Sequence, residues 1–171
     1  MAKASHTLQR GAVVQHTAKA HNLKGQLPEG SMESLATTIR FVTLNCRTLS
    51  SELQQAALSR LLRYLCVPFA ELQDTCMRDR PVFSIENYTI YCGDADENKV
   101  GGCAITVRNV YKNLEEEFSS TSSRCTFLRL RGRRGRKLWI VSARAPTETA
   151  EDNSKDAFYD ELNALMSKIP S

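Results

Sequence analysis

The spacing of hydrophobic positions changes several times along this chain, and each change marks an element. Residues 1 to 37 show no apolar periodicity and carry Gly11, Gly25, Pro28 and Gly30 among small polar residues, the pattern of a tail or linker. A β-branched and aromatic run, Ile39-Arg-Phe-Val-Thr-Leu-Asn45, then predicts a strand. Ser51 and Gln54 form a capping box, after which Leu53, Ala57, Leu58, Leu61, Leu62 and Leu65 recur at helical spacing as one apolar face. Pro68 stops that helix and opens a second strand, Phe69-Ala-Glu-Leu-Gln-Asp74. A strand–helix–strand unit of this kind delivers Asn45 and Asp74 to one edge of a sheet, where α/β folds collect their functional groups.

Short strands follow. Asn87–Cys92 is one; Gly102–Val107 is another, entered through a glycine pair that permits close backbone approach. The polar loop between them, Asp94-Ala-Asp-Glu-Asn98, begins like a calcium loop but has Lys99 where the sixth-position glycine belongs, so it reads as a solvated turn. Cys125–Arg131 and Leu138–Ala143 flank Gly132-Arg-Arg-Gly135 as a β-hairpin, with Leu128 and Leu130 on one face and Phe127, Arg129 and Arg131 on the other. A last helix, capped by Asn153 or Ser154, carries the stripe Phe158, Leu162, Leu165, Met166 and Ile169.

Composition narrows the class. The 171 residues are 42% hydrophobic and 25% charged, enough for one domain with a core, and no run approaches the ~18 apolar residues of a membrane span. The start lacks the apolar core of a secretory leader, and none of the six cysteines forms a C-x-x-C pair. An intracellular protein, nuclear or cytoplasmic and not secreted, is expected. His6, His16 and His21 are the only histidines, so imidazole chemistry would have to be recruited from the first 37 residues. The net charge of +4 is unevenly spread: Arg124 to Lys137 holds seven basic residues and no acid, which suits a phosphate-rich partner.

Four stretches together carry a resemblance. Thr43-Leu-Asn-Cys-Arg-Thr-Leu49, Leu72-Gln-Asp-Thr75, Gly101-Gly-Cys-Ala-Ile-Thr-Val107 and Val141-Ser-Ala-Arg-Ala-Pro-Thr147 resemble successive motifs of the endonuclease/exonuclease/phosphatase superfamily, most nearly the endonuclease domain of nematode-type non-LTR retrotransposons. The resemblance covers residues 38 to 171 and leaves residues 1 to 37 as a disordered basic tail. It implies an α/β (α+β) fold, the N-terminal half of a four-layer, two-sheet sandwich of the DNase I-like type. It also implies a Mg²⁺-dependent phosphodiester hydrolase acting on DNA, with Mn²⁺ as an alternative ion. Asn45 and Asp74 match the family's metal-site positions, and Arg144 stands where a Tyr or His usually contacts the scissile phosphate. Thr147 matches a substrate contact. From the residues themselves, Arg131, Arg133 and Arg134 on the hairpin are candidates for DNA-backbone contact, or simply the charged tip of a soluble turn.

This sequence departs from the family at Asp74, where a Glu is usual, at Glu71 inside a strand, and at Arg144, which offers neither a neutral hydroxyl nor an imidazole. The family's Gly-Asp-x-Asn motif, and the Ser-Asp-His motif with its catalytic histidine, do not occur in the sequence. The expectation is therefore a truncated endonuclease-like domain of weak or absent activity, with an apolar sheet face uncovered and prone to self-association. The alternative is a non-catalytic nucleic-acid-binding or interaction protein using the basic hairpin 124–137. Asp74 and Asn45 also have plain readings as turn residues.

Overall fold

The computed structural model describes residues 13–19, 38–132 and 135–170. Strand β2 (Thr38–Asn45) leads through helix α1 (Glu52–Tyr64) into β3 (Phe69–Gln73), and the two strands pair in parallel, as a helical crossover requires. The capping box is present: Ser51 accepts from the Gln54 backbone while the Gln54 side chain accepts from the Ser51 N–H. The buried face of α1 is Gln55, Leu58, Ser59 and Leu62, whereas Leu53 is 79% exposed. At about 100° per residue, Leu53 lies on the side of the helix opposite that face, so its inclusion in the apolar stripe is corrected. Its place is taken by Gln55, whose side chain donates to the Leu49 carbonyl at 2.9 Å and ties the loop to the helix.

Two antiparallel strands that the apolar pattern did not mark complete the architecture. The first is β4 (Val82–Ile85), which precedes β5 (Tyr88–Cys92) and β6 (Cys103–Arg108). The second is β7 (Glu115–Ser120), reached from β6 through the 3₁₀ turn Asn109–Leu114 and followed by the hairpin β8 (Cys125–Arg131) and β9 (Lys137–Ala143). Three consecutive glutamates hide β7 in the sequence. Arg129 of β8 and Lys137 of β9 pair with two of them. Helix α2 (Asp152–Met166) begins two or three residues earlier than the expected caps, with Glu151 as an extended N-cap that makes no side-chain bond.

Strand β1 (Val13–Lys19) lies within the stretch read as a tail and pairs antiparallel with β2, Val13 opposite Leu44 and Lys19 opposite Thr38. Backbone pairing along one side suffices for an edge strand, so little apolar patterning announces it. Residues 1–12 and 20–37 lie outside the described residues.

The first sheet runs β1-β2-β3-β6-β5-β4 and the second β7-β8-β9. Three cores separate four layers. Leu58 and Leu62 of α1 pack on Val42, Leu44, Leu72 and Ile90. Phe69, Tyr91, Ile105 and Val107 meet Leu128, Leu130 and Ile140 between the sheets. Phe127 and Cys125 pack under Phe158 and Leu165 of α2. The second sheet is thus supplied by this chain, and it covers the face of the first sheet that the sequence reading left bare. That expectation is corrected: β7–β9 bury the surface that was to drive self-association.

Candidate functional site

Alternation along β2 and β3 decides what reaches the space between the sheets. Ile39, Phe41 and Phe69 belong to the inter-sheet core, so Thr43, Asn45, Glu71 and Gln73 share their face by parity. Toward the C-terminal ends of the two strands that core gives way to polar groups. The Gln73 amide donates to Thr43 Oγ1 at 3.0 Å and to Ser142 Oγ of β9 at 3.4 Å, and the Ser142 hydroxyl donates to the Leu72 carbonyl at 3.0 Å. The two sheets are therefore joined at this rim by a chain of hydrogen bonds.

One residue beyond β3, Asp74 has φ +54°, in the left-handed region that Asp adopts more readily than most residues. Asn45 Nδ2 donates to its Oδ2 at 2.5 Å, and Arg144 Nε, from just past β9, pairs with Oδ1. Asn45 Oδ1 in turn accepts from the Arg47 backbone N–H at 3.1 Å. The side chains of Asp74 and Arg144 are 21% and 24% exposed, so the pair is largely desolvated yet open on one side. Backbone bonds hold the rim: Leu49 donates to Thr75, Thr75 to Gly102, Cys76 to Gly101, and Gly102 to Ser123. Gly102 has φ +84°, and a Cβ there would fall 2.5 Å from Thr75 Oγ1, which gives the glycine a steric reason. Gly101 has φ +80°, a conformation that favours glycine, and the Arg144 guanidinium lies beside it, with Nη1 3.7 Å from where a Cβ would stand.

The neighbouring titratable groups are pushed toward neutrality. Burial, reinforced by Cys92, Asp74 and Cys76, raises the Cys46 thiol to about 12, so it stays protonated and offers no thiolate. The Cys76 thiol is raised by burial and by Asp74. Burial alone raises Glu71 to about 7. Among the described residues no group of three or more His, Cys, Asp or Glu could hold a metal ion. Both oxygens of Asp74 and the oxygen of Asn45 already accept hydrogen bonds, and a guanidinium abuts the carboxylate. A divalent cation ~4 Å from that guanidinium would meet repulsion of order several kcal/mol at an effective dielectric near 20. As arranged, these donors do not fit Mg²⁺.

Of the residues singled out from sequence, Asn45, Asp74 and Arg144 come together. The others do not join them. Thr147 is exposed, its hydroxyl 3.3 Å from that of Thr149. Arg131 donates to the Asn113 carbonyl at the hairpin end of β8. That end lies roughly 20 Å from Arg144, at ~3.3 Å per residue along β9. Arg133 and Arg134 lie outside the described residues, as do His6 and His21. Thr43, Gln73, Thr75 and Ser142 were not singled out. For Thr43, Gln73 and Ser142 strand parity was the available signal; for Thr75, buried beyond the end of β3 with its hydroxyl against Cys92, none was.

No protein-family model and no curated protein matches the sequence. Among solved structures the chain is similar to the endonuclease domain of TRAS1, a telomere-specific non-LTR retrotransposon, at 14% identity and a TM-score of 0.54. The match covers 77% of this chain and 55% of that domain, so the chain spans about half of the neighbour's length. The likeness establishes the fold, a two-sheet α/β sandwich of the kind the four motifs implied.

Proposed function

We propose that this chain is an endonuclease-like domain of retrotransposon origin, descended from a Mg²⁺-dependent phosphodiester hydrolase acting on DNA, and that it hydrolyses DNA weakly or not at all. The fold likeness and the order of the four motifs support the origin. One observation carries the loss of activity: Asp74, the residue matching the family's metal-binding acid, is engaged by Asn45 on one oxygen and by Arg144 on the other. Hydrolysis of a phosphodiester needs a positioned nucleophile, stabilisation of developing charge and help for the leaving group. Of these, the rim offers charge stabilisation through Arg144.

Purified full-length chain incubated with supercoiled plasmid and Mg²⁺ or Mn²⁺, beside a chelator control and Asp74→Ala, tests the proposal. No metal-dependent nicking by folded protein is expected. Nicking that is lost with chelator and in Asp74→Ala would overturn it.

The second reading, nucleic-acid binding through the hairpin, rests on Arg131 and Arg136, both exposed at its tip. It is narrower than the charge count suggests. Arg129 and Lys137 are engaged by Glu116 and Glu117, and the Arg124 guanidinium donates toward the Arg144 carbonyl. No helix among the described residues is long and apolar enough to cross a membrane.

A further inference from the structure

The rim around Asp74 has a fixed charge balance. Asp74 contributes one negative charge and Arg144 one positive charge, and the guanidinium lies on the carboxylate rather than out in solvent. Two hydrogen bonds hold the end of β9 that carries it against β3: Ser142 donates to the Leu72 carbonyl at 3.0 Å, and the Gln73 amide donates to Ser142 Oγ at 3.4 Å. The Asn45 amide completes the shell with its donor side toward Asp74, while its oxygen is held by the Arg47 N–H. Every group around the carboxylate is therefore a donor or a cation.

We infer that Arg144 is the resident counter-cation of this site, occupying for Asp74 the charge-balancing role that a divalent metal would fill and so excluding divalent cations from the rim. The inference rests on the reading of the chain as an endonuclease-like domain, and it makes Arg144 a selectivity residue: its charge, not the shorter reach of Asp74 alone, determines the response to metal. Neutralising Arg144 leaves Asp74 a partly exposed carboxylate with the Asn45 amide beside it. The amide can then rotate to present its oxygen, giving two oxygen donors on a rigid rim, the minimum from which Mg²⁺ or Mn²⁺ with retained waters is held.

The experiment is a Mn²⁺ titration of the full chain, read by isothermal calorimetry and by electron paramagnetic resonance of free Mn²⁺. It compares the wild type with Arg144→Gln, Asp74→Asn and the double variant, with folding checked by circular dichroism. The wild type and Asp74→Asn are expected to bind alike and weakly. Arg144→Gln should bind Mn²⁺ about tenfold more tightly or better, as loss of a partly buried opposing charge implies. Asp74→Asn in that background should remove the gain. Arg144→Met keeps the volume of the side chain without its charge and replaces the Gln variant if that variant does not fold.

Saturable Mn²⁺ binding by the wild type that Asp74→Asn abolishes would overturn the inference, as would a folded neutral variant with no gain. Failure here is distinguishable from failure of the proposed function. Wild-type nicking of plasmid sinks the loss of activity, whereas tight Mn²⁺ binding without nicking sinks only the role of Arg144.

Discussion

The two ends of the sandwich use the same chemistry to different effect. At the hairpin end Arg129 of β8 and Lys137 of β9 pair with Glu116 and Glu117 of β7 within one sheet, with Nζ of Lys137 2.5 Å from Glu116. At the opposite end Arg144 pairs with Asp74 across two sheets, three-quarters shielded from water and braced by Asn45. The first set lies within one hydrogen-bonded sheet, while the second joins layers held otherwise by packing and by the Gln73–Ser142 and Ser142–Leu72 hydrogen bonds. Glu116 is no more exposed than Asp74, 19% against 21%, so connectivity between layers, rather than shielding or the number of charges, determines which end depends on its ion pair.

Breaking the pair that joins layers should therefore have the greater consequence. Arg144→Ala leaves Asp74 without its counter-charge in a largely desolvated rim. A destabilisation of about 2 kcal/mol is expected, between the ~0–1 of an exposed pair and the 3–5 of a buried one. Urea unfolding reads it as a lower midpoint. The double variant Asp74→Asn/Arg144→Gln should lose less than the sum of its single changes, because neither partner is then left stranded. Strict additivity would show that the two side chains do not interact.

Glu71 tests the same layer by a different route. It faces the inter-sheet space from β3, with Thr43 and Ile105 as its register neighbours, and burial raises it from the ordinary 4.5 to about 7. The folded state thus favours the protonated acid. Its contribution is fully present below about pH 4.5, is lost as the pH climbs through about 7, and leaves the protein least helped by this residue in mild alkali. After allowance for the part of the side chain that meets solvent, the swing is about 1–2 kcal/mol. Glu71→Gln should flatten that dependence and raise stability at pH 8; a variant with an unchanged stability-versus-pH curve would show that Glu71 is ionised without penalty.

How much of this was legible in the sequence follows from what each residue interacts with. The α1 cap, the β2–α1–β3 crossover and the β8–β9 hairpin depend on neighbours within a few residues, and their patterns predicted them. Asn45 and Asp74 were found together because parallel strands bring their ends to one edge. The departure at Arg144 could be read from residue types, but not its pairing with Asp74, which it reaches across 70 positions of chain. Strand β7 was missed for the same reason: a strand of glutamates reads as solvated until the arginine and lysine that pair with it are placed alongside. Leu53 failed differently, because helical spacing cannot rank the faces of a helix whose buried centre includes Gln55 and Ser59.

The network within the second sheet gives the weakest response and the sharpest contrast. The Lys137 hydrogen bond holds the Glu116 carboxyl below its ordinary range, so its contribution is present above that range and lost as the pH falls through the lowered value, opposite in sign to Glu71. Glu116→Gln should shift the melting midpoint by at most about 2 °C, with the difference shrinking as salt screens the pairs. The same substitution frees Lys137 opposite Arg131, while Arg129 keeps Glu117, so salt-sensitive DNA binding, if the hairpin supplies it, should strengthen in this variant and not in Arg144→Gln. Binding that instead follows Arg144 would move the nucleic-acid contact to the rim between the sheets. The hairpin pairs would then serve only to hold β7 in place.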